Sequence, residues 1–460
     1  MNIARSVKKC CEKTALLCEL LRYRSQHLLL SYSPIVLVAI TFFLMFLAAC
    51  SSKPKSVTQP ALRPLPNVPL AVAEVPTAEV LDAAGAALVL GKASSILKQN
   101  SCGLVLSLDG NVLPLNVNQS TIYTSDDYDE VCTRPGYIHI VEGINWCSGT
   151  SKPNILGCSS NPGTCVVVVR YNPPASQDPQ QLDEAILWLH EYGHTKNLKH
   201  RNDSNAVMNL NIEPAHLNIS SNECSVYLGL TNATSSQPSQ VAPATVEEFV
   251  RRVYIHGVPF EQAKRYTAAA NVRTLAAMLG DHSQEQYWPN VVATLGAIGT
   301  PEASKQLVSF VSQGEGKLSP AAFRAKTSAL VAMGYVLGQS GRQSVLNYLV
   351  KQADPISWSN VRWSTPSSSD TTDRDLTLAR GAVAALGLSG DPKAQVVLRN
   401  LELGAPTDPT FNSQIRKSAQ YALNESKAVR ETGFDAYVIE KERLSDDPSI
   451  QKEIPKAKPQ

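Results

Sequence analysis

Beyond Cys224 the chain contains no cysteine, whereas six of them, Cys102, Cys132, Cys147, Cys158, Cys165 and Cys224, crowd the stretch just before. A cross-linked region with mixed helix and strand signals thus precedes a cysteine-free region with long Ala, Leu and Val periodicities. The pattern predicts an α+β domain followed by an all-α one. An even number of cysteines confined to one part of an exported chain implies up to three disulfides, whose connectivity stays open. A zinc–thiolate cluster is the competing reading, but no CxxC pair supports it.

Export is argued from the N-terminus. "MNIARSVKKCCEK" and "LRYRSQ" carry positive charge, and an apolar run from Pro34 to Cys50 follows. That run is short for a membrane span, which needs about 20 residues, and it has the order of a signal peptide. Its Leu47-Ala48-Ala49-Cys50 ending resembles the lipobox of bacterial lipoproteins. The resemblance implies a signal peptide over 1–49, a lipid anchor on Cys50 and a place in the bacterial cell envelope. Ser51, rather than an inner-membrane retention Asp, implies the outer membrane, facing the periplasm or the cell surface. An uncleaved signal anchor is the alternative. Residues 50–77 are Pro-rich and read as an extended tether.

The 460 residues allow more than one core. The α+β domain is expected over 78–233. A helix in "AEVLDAAGAALVLGKASSILKQ" ends near Asn100. Two strands flank an Asp-Gly turn in "GLVLSLDGNVLPLNV", further strands lie in "GYIHIVEG" and "CVVVVRY", and a second helix runs through "DPQQLDEAILWLHEYGHTKN". A Ser/Pro/Gln linker spans 234–244, the all-α domain 245–439, and a charged, disordered tail 440–460.

Within the all-α part, "GTPEASKQL" at Gly299, "GQSGRQSVL" at Gly338 and "GDPKAQVVL" at Gly390 align without gaps, at intervals of 39 and 52 residues. Each follows an apolar helix. The units resemble short HEAT repeats, which stack helix pairs on one continuous core. A plain helical bundle is the alternative.

"HEYGHTKNLKH", residues 190 to 200, holds three of the eight histidines. On a helix, His190 and His194 lie one turn apart on one face and can reach one ion. His200 can join them only if the helix stops and the chain turns back. Asn197 stands where that break must fall, and Asn tolerates the left-handed conformation at a helix C-terminus. Three ligands with one position open are the pattern of a catalytic zinc. Glu191, not needed as a ligand, can take a proton from the water that zinc acidifies and pass it to a departing amine. Peptide hydrolysis suits this arrangement.

The stretch resembles the metzincin motif HExxHxxGxxH, and Met208 follows His200 in "NAVMN" as the Met-turn does in the matrixin branch. The resemblance spans Ser101 to Cys224. It implies one catalytic Zn2+ on His190, His194 and His200, Glu191 as general base, Met208 supporting the site, and a protein or peptide substrate. It also implies that a strand within "SKPNILGC" forms the cleft rim and pairs with an extended substrate. The sequence departs from the family at Asn197 in place of Gly, and at Leu210, where some branches carry a tyrosine ligand. A cysteine-switch propeptide is absent.

Four of the other histidines read as structural: His139 as an outward strand residue, and His216, His256 and His282 as surface or core side chains. With 42 basic and 40 acidic residues, no field points to nucleic acid. The expected function is therefore a membrane-anchored zinc endopeptidase whose helical repeats dock a protein partner. An inactive zinc-binding scaffold is the alternative, and amide hydrolysis of a cell-wall peptide a further one.

Overall fold

The "LPNVPLAVAE" stretch, expected in the tether, forms two strands of the fold. The computed structural model describes residues 65–446 except 77–80, 172, 174–175, 202, 232–242, 367–370 and 405–411. Cys50, the rest of the signal segment and most of the linker lie outside the described residues. Strands β1 (Asn67–Leu70), β2 (Val72–Glu74), β3 (Val105–Leu108), β4 (Leu113–Pro114), β5 (Thr121–Ile122), β6 (Ile138–Val141), β7 (Gly143–Cys147), β8 (Thr150–Ile155), β9 (Gly157–Ser159) and β10 (Val166–Val169) alternate with helices α1 (Ala83–Gln99) and α2 (Ser125–Cys132). Helix α3 (Asp183–Thr195), strand β11 (Asn211–Ile212) and helix α4 (Ser221–Tyr227) complete this half.

The main sheet has the order β4-β2-β6-β10-β9, parallel throughout except for the antiparallel edge strand β9. Four consecutive β-branched residues, Val166 to Val169, make β10 a strand buried on both faces. The tether expectation fails because Val72 and Ala73 pair with β6 and are fully buried. Pro69 is tolerated because β1 pairs only with β3, an edge position where a missing N–H costs little. The two strands expected around Asp109-Gly110 are β3 and β4, which pair not with each other but with β1 and β2 respectively.

The second half begins with α5 (Val246–Arg251), strand β12 (Val253–Tyr254), α6 (Phe260–Ala263) and α7 (Ala269–Gly280). Helices α8 (Trp288–Ile298), α9 (Pro301–Ser312), α10 (Pro320–Ser340), α11 (Gln343–Gln352), α12 (Thr371–Ser389), α13 (Pro392–Glu402), α14 (Asn412–Thr432) and α15 (Phe434–Asp446) follow. Helix α15 continues past Glu440, where the tail was expected to begin; its Tyr437 and Val438 are buried and anchor it.

Helices α8, α10 and α12 are buried on nearly every side, whereas α9, α11 and α13 keep one exposed face, so the pairs form two layers. The inner helices approach so closely that a β-carbon on Gly296 would lie 2.7 Å from Ala332, on Gly334 2.7 Å from Ala385, and on Gly387 2.6 Å from Ala422. The recurring turn is left-handed at Gly299, Gly341 and Gly390. The equivalent glycine of the middle unit is thus Gly341, not Gly338, which instead faces the Phe434 ring.

The halves separated by the linker belong to one compact unit, Leu65–Gln460, and polar bonds join them. Arg380 Nη2 contacts both oxygens of Asp127 at 2.7 and 2.6 Å, and Glu425 accepts from the Ser151 N–H and hydroxyl at 2.8 and 2.7 Å. Asn154 donates to Asn290 at 2.7 Å. Two apolar residues cross over: Tyr123 packs in the helical core, and Ile255 in the core of the α+β half.

Candidate metal centre

Helix α3 is buried along its whole length and packs across β9 and β10. His190 and His194 project from one face, with their Nε2 atoms 3.0 Å apart. The helix ends after Thr195, and Asn197 takes φ +70°. The Asn197 N–H then bonds to His194 O and the Leu198 N–H to Gly193 O, satisfying carbonyls of the last turn. The returning chain brings His200 Nε2 to 3.2 Å from that of His190 and 3.1 Å from that of His194.

Hydrogen bonding of the far ring nitrogens decides what this triangle is for. His190 Nδ1 lies 2.9 Å from Val207 O, and His194 Nδ1 lies 2.8 Å from Leu198 O. A carbonyl only accepts, so the proton of each ring sits on Nδ1. Burial, reinforced by the neighbouring imidazoles, holds His190 well below its ordinary value and His194 at about 3, so neither is cationic. Both Nε2 atoms therefore carry lone pairs and face each other at 3.0 Å, which is repulsive unless a cation lies between them. Nitrogens about 2.0–2.1 Å from a shared tetrahedral zinc lie about 3.3 Å from one another, close to the spacing found here. The donor set fits a divalent metal.

A fourth imidazole, His256, joins the other three; the ligand atoms of all four lie within 4.8 Å of one another. Its ring centroid is 4.9 Å from that of His200, 5.4 Å from His194 and 5.5 Å from His190. Reading His256 as an ordinary surface or core histidine is thereby corrected. Strand β12 delivers it, pairing antiparallel with β11 as Asn211 with Tyr254 and Ile212 with Val253. The Ile255 N–H donates to Leu210 O at 3.1 Å, and Ile255 O accepts from the Leu156 N–H at 2.7 Å. Burial, with the other three histidines adding to it, keeps His256 neutral.

Glu191 is fully buried beside the cluster. Ser159 on β9 donates to its Oε2 at 2.7 Å, and its Oε1 lies 3.8 Å from His256 Nε2. Burial raises this carboxyl to about 8, against the pull of the Ser159 bond. Gly157 on the same strand is required, since a β-carbon there would lie 2.3 Å from Glu191 Oε1.

Met208 is buried, and its carbonyl accepts from the Arg201 N–H at 2.8 Å, closing the loop that carries Val207 under His190. The Tyr227 hydroxyl bonds to Leu189 O at 3.1 Å and reaches Met208 Sδ at 3.6 Å. The six cysteines form Cys102–Cys224, Cys132–Cys165 and Cys147–Cys158, the last tying β7 to β9 beside the cluster. His139 is buried rather than outward-facing, with its ring against Arg134 O and Cys165. His216 bonds to Asn211 O, and His282 is exposed.

Sequence reasoning missed His256, Ser159, Gly157, Gly193 and Tyr227. Of these only Gly193 carried a signal, being a glycine inside a helix with no other evident purpose. No family model matches this chain, and no curated protein or solved structure is similar to it. Among the described residues, no helix is long and apolar enough to cross a membrane.

Proposed function

We propose that the chain is a zinc-dependent endopeptidase with a metzincin-like centre, in which His190, His194 and His200 hold the ion and Glu191 is the general base. One observation carries this reading: a fully buried carboxylate stands beside a triangle of lone-pair imidazoles, held in orientation by Ser159. A carboxyl buried so deeply that it holds its proton up to about pH 8 needs a role; a divalent cation beside it would favour its ionised form, and proton transfer is the role its position suits.

When bound, zinc supplies Lewis acidity toward a scissile carbonyl and makes water acidic enough to lose a proton near neutral pH. The chain supplies the rest. Glu191 takes that proton and gives it to the leaving amine, Ser159 fixes the carboxylate on the reacting side, and Val207 O and Leu198 O hold the two helical imidazoles in the ligating tautomer. The antiparallel edge strand β9 supports the reading, because such an edge can pair with an extended peptide. The stacked helix pairs with left-handed glycine turns support a HEAT-like array that docks a partner protein. A lipid anchor on Cys50 would hold the whole at a bacterial outer membrane.

A second reading is favoured by His256. Four imidazoles around one buried ion make a closed site, the pattern of structural zinc, and would leave a scaffold whose helices bind a partner. The test is zinc content and cleavage of a mixed peptide library by the chain from Ser51 onward, with and without His256→Ala, each compared with Glu191→Ala. The endopeptidase reading expects about one zinc per chain and cleavage that Glu191→Ala abolishes with zinc retained. Zinc binding without Glu191-dependent cleavage in either background establishes the scaffold.

A further inference from the structure

We infer that residues Val253 to His256 are a built-in occupant of the peptide-binding strip, and that His256 fills the coordination position that the reaction needs free. The inference rests on the endopeptidase reading and adds its regulation. As folded, the protein is latent, and withdrawal of this one strap opens it.

The strap lies where an extended substrate would lie. On one side its Ile255 carbonyl takes the Leu156 N–H, immediately before edge strand β9. On the other, the Ile255 N–H is given to Leu210 O, and β12 pairs with β11, just beyond Met208. A backbone bonded from both sides by the rims of a cleft is how a peptide ligand is held. One residue further on, His256 reaches the three imidazoles and lies 3.8 Å from Glu191 Oε1, so the general base and the metal ligands face this segment rather than solvent.

The strap is continuous with the helical half, whose core anchors both of its flanks, although Ile255 itself packs in the core of the α+β half. Phe249 and Val250 of α5 before it and Phe260 of α6 after it are buried in the helical core. Its exit is fastened by Glu442 of the last helix, which accepts the Phe260 N–H at 2.9 Å and pairs with Lys152 of β8 at 3.1 Å. Gly257 makes the turn between them possible. Its φ is +81°, and a β-carbon would lie 2.9 Å from Pro153 O. A partner that shifts α5, α6 or α15 therefore pulls on His256 without touching the metal. The device couples the helical array to the reactive centre through a single side chain.

The experiment uses the chain from Ser51 onward loaded with Co2+, whose visible spectrum reports ligand number, and acetohydroxamate as a probe that must take a free coordination position. Wild type is expected to give a spectrum that hydroxamate leaves unchanged. His256→Ala and the bulkier His256→Gln are expected to keep the metal, bind hydroxamate at least about tenfold more tightly, and cleave peptides at least about tenfold faster. That is the gain when an open form populated at about one part in ten or less becomes the only form. Glu442→Gln, remote from the metal, is expected to move both readouts in the same direction by a smaller factor. A wild-type spectrum that responds to hydroxamate as the variants do overturns the inference. So does loss of both metal and fold in His256→Ala and His256→Gln alike, since His256 is then a permanent ligand. Hydroxamate binding gained without any cleavage leaves the occupancy standing and removes the endopeptidase reading instead.

Discussion

Gly193 and Met208 meet so closely that a β-carbon on the glycine would lie 2.7 Å from the methionine sulfur. The same carbon would lie 2.8 Å from the Tyr227 hydroxyl, whose ring is buried and cannot retreat as a free chain end would. The loop that supports His190 is thus pressed onto helix α3 at the one residue between His190 and His194 where a side chain has no room.

Replacing Gly193 with Ala should therefore destabilise the protein, although Ala ordinarily favours a helix by about 1 kcal/mol over Gly. Overpacking at a filled position costs about 1–3 kcal/mol. The expected result in denaturant unfolding of the zinc-loaded protein is a net loss, together with weaker zinc retention. An unchanged midpoint means that Met208 and Tyr227 move aside freely.

Chelation acts on the lone-pair triangle. With the cation removed, imidazole nitrogens 3.0 to 3.2 Å apart repel one another. Thermal unfolding should fall on treatment with a chelator and recover on adding zinc. The ion at a hundred times its Kd contributes about 2.7 kcal/mol by mass action. A melting curve indifferent to both treatments rules out a metal on these histidines.

The Arg380–Asp127 pair bridges the halves in a buried setting, and Asp127 also accepts from the Thr124 N–H at the start of α2. Arg380→Met strands the carboxylate and is expected to cost about 3–5 kcal/mol in urea unfolding. Adding Asp127→Asn should recover part of that loss, since no unpaired charge then remains. Additive losses in the double variant show that the two residues are not coupled.

Asp183, near the start of α3, is raised to about 7 by burial first, then by the nearby Asp178 and Glu213 carboxylates. The folded chain thus holds this proton more tightly than the unfolded one, whose value is near 3.8. The contribution is fully present below about pH 4 and is lost as pH rises through about 7. Asp183→Asn, which cannot ionise, should melt like wild type at about pH 3.5 and at a higher temperature at pH 8. Equal melting at both pH values means that Asp183 is ionised throughout.

Much of the centre was legible in eleven residues, because its logic is local. Helical spacing alone puts His190 and His194 on one face, and the need to return His200 demands a break that Asn197 permits. The helical half was legible from its glycine turns for the same reason, although the gapless alignment chose Gly338 where the left-handed residue is Gly341. The strands at 67–74 were not legible. Short, Pro-containing segments in parallel pairing owe their place to partners distant in the chain, such as β3 and β6.

The sequence by itself determined a cluster of three histidines, a carboxyl beside it, and a division into a cysteine-bearing α+β half and a helical half. Only the tertiary structure decided that a fourth imidazole crosses from the helical half to meet the triad. Periodicity and capping act over a few residues and leave a record in the sequence. His256 is placed by β12, two residues long, and by backbone bonds of Ile255 to Leu156 and Leu210. Backbone groups are the same in every residue, so such bonds leave no trace in the side chains that a sequence records.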